Sequence, residues 1–122
     1  MLQTEFEFSL PKGFVDEDGN IHRKGIMRLS KAIDEIVPLR DPRVQLNRAY
    51  ATIIILSRVI TRLGALEQVT PVIVENFFAC DLNYLQKLYH QINELEDEEE
   101  EEQQEEIQQQ IPQLLSQPVE VS

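Results

Sequence analysis

The chain has 122 residues, 42% of them hydrophobic, a formal charge of −11 and a single cysteine. That length allows one modest hydrophobic core and leaves hardly any room for an enclosed substrate pocket. The acidic balance argues against nucleic acid as a partner, and one cysteine excludes an internal disulfide. The charge is unevenly placed. Residues 1–93 carry 11 acidic and 11 basic side chains, while residues 94–122 carry the other 11 acids and no Lys or Arg. The pattern divides into an electrically balanced domain, residues 1–95, and an acidic Glu/Gln-rich tail, residues 96–122. That organisation suggests a binding protein.

The first element alternates. Phe6, Phe8 and Leu10 share one face, and Glu5, Glu7 and Ser9 share the other, which predicts a half-buried strand. Pro11 is expected to limit its hydrogen-bond ladder. Asp16-Glu17-Asp18-Gly19-Asn20 has the composition of a turn. A second strand then runs to Leu29, with Gly25 marking a bulge or a bend. These segments form a β-hairpin over residues 4–29. Arg23, Lys24 and Arg28 on its second strand are expected to pair with Glu5 and Glu7 across the solvent face.

Such a hairpin is marginal alone and has to lie on something, and the remaining residues, 30–95, predict three to four helices. Ser30 can cap a short helix over residues 31–37, which Pro38 ends. A long helix is predicted over residues 47–63, from a possible cap at Asn47 to Gly64. Ala49, Ile53, Leu56, Ile60 and Leu63 form its inner stripe. Arg58 and Arg62 are placed on its outer face and extend the basic set Arg40, Arg43 and Arg48, with the acidic tail, or an acidic partner, as the expected counterpart. Thr70-Pro71 signals a further short helix over residues 72–78. Cys80 reads as a small core residue. Asp81 can cap a last helix over residues 82–94, whose stripe is Leu82, Leu85, Leu88, Tyr89, Ile92 and Leu95. The fold class is therefore α+β.

Seven consecutive acids follow, Glu96 to Glu102, which repel one another and cannot build a core. The tail is expected to be disordered or to continue the last helix as a frayed end. Ile107, Ile111, Leu114 and Leu115 recur beyond it at i, i+4, i+7 and i+8, interrupted by Pro112. They suit either a solvating tail or a tethered peptide that folds on a groove, in cis or on a partner.

No phosphate loop, nucleophile elbow or metal-ligand spacing appears, so no catalytic, cofactor-binding or metal-binding residue is assigned. The Asp16–Asn20 turn is too short for a calcium loop and lacks its distal bidentate Glu. There is no basic n-region or apolar h-region after Met1 and no run approaching a membrane span. A cytoplasmic location without membrane contact is expected.

The order of elements resembles a known family. A Phe-x-Phe-x-Leu strand and an Asp-Gly turn lead to a basic strand ending Met27-Arg28-Leu29. A short helix with Asp34-Glu35, the segment Arg58-Val59-Ile60-Thr61-Arg62-Leu63-Gly64, and Val69-Thr70-Pro71 before a final helical pair complete it. Residues 4–93 are similar to the tail assembly chaperones of contractile-tailed phages and of phage-derived contractile injection systems. The resemblance implies a non-enzymatic assembly factor. Its partner would be the tape-measure protein, or another tail protein, bound before the tube assembles. Contact residues would come from the last stripe, with Leu85, Tyr89 and Ile92 as candidates. A structural subunit of the baseplate or tube end, and a regulatory adaptor acting through its acidic tail, are the alternatives. The sequence leaves the oligomeric state open.

Overall fold

The computed structural model describes residues 2–94. The acidic tail and its apolar motif, and therefore the expectations placed on them, lie outside the described residues. The fold is α+β. Strands β1 (Glu5–Val15) and β2 (Ile21–Arg28) precede helices α1 (Ala32–Leu39), α2 (Pro42–Leu46) and α3 (Tyr50–Val59). Then come strand β3 (Ile60–Leu63) and helices α4 (Pro71–Glu75) and α5 (Ala79–Asn93). The sheet is antiparallel in the order β1-β2-β3.

The third strand corrects the sequence reading. The helix expected over 47–63 stops at Val59, and Ile60–Leu63 instead pairs with β2, Met27 opposite Ile60 and Gly25 opposite Leu63. The apolar residues Ile60 and Leu63 are buried as expected, but as strand residues. Their spacing of three suits a helix. It also suits this strand, because the β2–β3 register shifts between Ile26 and Met27, beside Gly25. Val59-Ile60-Thr61 is β-branched throughout, and the free edge of β2 offers backbone partners that solvent would otherwise have to supply. Gly64 keeps the left-handed conformation expected of it, φ +54°, but closes a strand.

β1 runs straight through Pro11. The chain takes five steps from Ser9 to Phe14 while β2 takes two from Lys24 to His22, so three residues bulge out. Pro11 has no N–H to lose there. Gly13 sits at φ +103°, where a Cβ would meet Arg23 Cγ at 2.6 Å and Ile21 Cγ2 at 2.7 Å. The backbone groups released by the bulge are bonded by side chains. Asp81 accepts from Lys12 N–H (2.8 Å) and Gly13 N–H (2.9 Å), and Arg23 Nε donates to the Leu10 carbonyl (2.9 Å). Asp81 therefore does not cap α5, which begins two residues earlier with Phe78 at its N-cap. That start turns Asp81 and Leu85 inward and leaves Cys80 exposed, contrary to the buried position expected of it.

The helices cover one face of the sheet. Phe8, Leu10, Phe14 and Met27 from the hairpin meet Leu56, Val59, Ile60, Leu63, Val74, Phe77 and Leu85 in one core. At its border sits a second buried carboxylate. Asp34 of α1 receives Arg28 through both terminal nitrogens (2.7 and 2.9 Å), Arg58 Nε (3.0 Å) and the Lys31 N–H (2.8 Å). These charged bonds hold its carboxyl well below the usual carboxylate range, Arg28 contributing most. They tie β2, α1 and α3 together.

The Asp34 cluster redirects two expectations. Arg28 stands opposite Glu5 in register but bonds Asp34, and no salt bridge joins Glu5 or Glu7 to β2 among the described residues. Arg58 turns in to Asp34 and leaves the outer face. Arg43 is paired with Asp41 at 2.9 Å, so two members of the expected basic set, Arg43 and Arg58, are engaged by carboxylates of the domain. At the start of α1, Asp34 bonds the Lys31 N–H where Ser30 was expected to cap. The Ser30 N–H and hydroxyl instead donate to Asn93 Oδ1, at 2.8 and 3.0 Å. Pro38 lies inside the last turn of α1, one residue before its end.

Candidate functional site

At the far end of the hairpin an open groove of about 690 Å³ runs between the turn, α4 and the start of α5. Phe14, Val15, Leu66, Val72, Ile73 and Phe78 supply its apolar lining, and Asp16, Glu17 and Asp18 its acidic side. Val15, Val72 and Phe78 are 45–61% exposed, and Ile21, directly opposite Val15 in register, is 62% exposed. Large apolar side chains exposed singly are ordinary, whereas several gathered along one groove mark a surface suited to a protein partner. Lys12 Nζ stands 5.6 Å from the centre of the Phe78 ring, a cation over its face.

The groove rests on a well-bonded frame. Asp16 Oδ1 accepts from the Asp18 and Asn20 N–H groups, both at 2.9 Å, and Asp16 Oδ2 lies 2.7 Å from His22 Nε2. The other His22 nitrogen, Nδ1, accepts from the Ala65 N–H at 3.2 Å. An N–H aimed at Nδ1 assigns the ring proton to Nε2, which then donates to Asp16. The His22 bond, followed by that from Asn20, lowers the Asp16 pKa. Gly64 lies against this imidazole, and any Cβ at that position would run into the ring. On the opposite wall, the Thr70 hydroxyl accepts from the Ile73 N–H (3.3 Å) with Pro71 at the first helical position, as the Thr-Pro signal predicts.

The three residues drawn from the last stripe occupy different environments. Leu85 is fully buried in the core. Ile92 is half-buried and packs on that core. Tyr89 lines a second, smaller cleft of about 340 Å³ between α1, α3 and α5, with Ile55 and Thr52 opposite. Its hydroxyl lies 2.8 Å from Glu35 Oε1 and 3.0 Å from Ser30 Oγ, and burial pushes its pKa up. Neither Leu85 nor Ile92 lines that cleft. Sequence reasoning passed over Val15, Ile21, Val72 and Phe78. One signal for them was present: Val15 and Ile21 flank the turn as an apolar pair, and Val15 breaks the alternation set by Phe14.

Among the described residues no group of three His, Cys, Asp or Glu side chains could hold a metal ion. None of the described helices is long and apolar enough to cross a membrane. No family model, curated protein or solved structure matches this chain.

Proposed function

We propose that this protein is a non-enzymatic assembly factor that holds an apolar segment of a protein partner in the groove at the hairpin end. The grouping of Val15, Val72 and Phe78 along one open groove carries this reading. An apolar segment flanked by Lys or Arg would complement the lining and the acidic side together. The resemblance of residues 4–93 to tail assembly chaperones supports, as that partner, the tape-measure protein or another tail protein of a contractile phage-like tail or injection system. It would be bound in the cytoplasm before the tube forms, without nucleic acid, membrane or cofactor. A tape-measure chain exposes apolar helical surface until it is enclosed, and covering that surface limits its aggregation.

The test is co-expression with a cognate tape-measure protein. The wild-type chain is expected to keep that protein in solution and to stay bound at high salt, since apolar contact is little affected by screening. Val72→Asp and Phe78→Asp, both at exposed positions, are expected to abolish capture while melting as the wild type does. Equal capture by these variants would remove the groove from the mechanism. Recovery of the chain at stoichiometric level in finished particles, with no tape-measure complex, would instead make it a structural subunit.

A further inference from the structure

The outward face of α1 is apolar. Ala32, Ile33, Ile36 and Leu39 lie opposite the buried Asp34 and Pro38, and the three large side chains are 45–57% exposed. A solvent-facing helical stripe is ordinarily polar. This one has Lys31 at its start and Arg40 at its end, neither in an ion pair among the described residues. Its one acid, Glu35, is within 2.8 Å of the Tyr89 hydroxyl. The face therefore suits a ligand that is apolar and acidic.

We infer that its occupant is the chain's own C-terminal tail, with Ile107, Ile111, Leu114 and Leu115 covering the α1 stripe in cis. Three observations favour this occupant. The bonds from Ser30 to Asn93 Oδ1 place the end of α5 beside the first turn of α1, so the tail leaves the domain next to the stripe. Ten of the 11 acids of residues 94–122 lie at 94–106, with no base among them, so the stretch leading to Ile107 is acidic and complements a face flanked by Lys31 and Arg40. The 12 residues between Glu94 and Ile107 span up to about 40 Å when extended, against about 12 Å for the length of α1. Docking there covers an apolar face that would otherwise favour self-association, and it leaves the hairpin-end groove free. It is independent of what that groove binds.

Hydrogen exchange on the full-length chain, followed peptide by peptide, tests this. Amides of residues 107–115 are expected to exchange about 3-fold more slowly in the wild type than in Ile36→Asp. Ile36 is exposed, so that variant keeps the fold. Ile111→Asp, which alters only the tail, is expected to release the same peptide. Reversing the flanking charges, Lys31→Glu with Arg40→Glu, is expected to reduce the protection, and protection is expected to be the same on dilution. Unprotected wild-type amides, or protection indifferent to Ile36→Asp and Ile111→Asp, would overturn the proposal. Protection that fades on dilution would overturn it in favour of contact with a second copy.

Discussion

Among the described residues, Asp34 and Asp81 are the two carboxylates most completely removed from water, and they are satisfied in opposite ways. Asp34 is held by two arginines whose side chains are about a third exposed, and by one backbone N–H. Asp81 receives two backbone N–H groups of the β1 bulge and no salt bridge among the described residues. The donors at Asp34 are long side chains that can turn to solvent if the carboxylate is lost. Those at Asp81 are backbone N–H groups of the bulge, which cannot swing away as a side chain does. The two sites thus have similar burial but different tolerance. What an acid costs to remove depends on what its donors can do without it.

The sharpest contrast comes from a carboxylate placed where no donor waits. Ile60 is buried between β2 and the helices. Ile60→Asp is expected to destabilise by at least about 4 kcal/mol and to leave the chain unfolded or aggregated, read by circular dichroism and gel filtration. A folded variant with wild-type melting would contradict the packing of β3.

Next in size is Asp81→Ala. It strands the buried Gly13 N–H and unpairs the part-buried Lys12 N–H, at an expected cost of roughly 3 kcal/mol in denaturant unfolding. Asp34→Ala is expected to cost less, about 2 kcal/mol, because Arg28 and Arg58 recover solvation. The reverse order would refute the distinction between movable and fixed donors.

The Asp34 cluster also has a pH signature. Its folded pKa lies below its unfolded one, so its contribution is complete above the unfolded value of about 4 and is lost as pH falls through that value toward the folded one. Stability measured from pH 6 downward is expected to decline less steeply in Asp34→Asn than in the wild type. Identical acid limbs would remove Asp34 from the acid response.

The smallest effect is expected from deleting residues 96–122. Residues 1–93 are formally neutral and supply the hydrophobic core, so the melting midpoint is expected to move by less than about 5 °C, roughly 1 kcal/mol for a domain this size. A larger fall would mean that the tail packs into the body.

Local pattern carried much of the architecture. The Phe6-Phe8-Leu10 alternation, the Asp-Gly turn and the Thr70-Pro71 start each draw on forces that act within a few residues, and each is seen where the sequence places it. The apolar stripe of α5 was also legible, and Leu85 lies at its buried centre. The candidate site was less so. Whether Tyr89 meets a cleft or the core depends on how α1 and α3 lie across α5, and no spacing within one helix encodes that.

Ile60 and Leu63 mark the boundary of sequence reading most clearly. Their spacing told that they are buried, because burial follows from apolar side chains wherever they fold. It could not tell helix from strand, since both conformations bury that pair once the register slips. The choice depended on the unpaired edge of β2, a hydrogen-bonding partner more than 30 residues away. Asp34 and Asp81 follow the same rule. Their charge and position in the chain are properties of the sequence, but only the folded chain brings Arg28, Arg58 and the bulged β1 backbone within bonding distance. Short-range sterics and hydrophobic period act along the chain and can be read from it. Pairing between distant polar groups exists only after the chain has closed on itself.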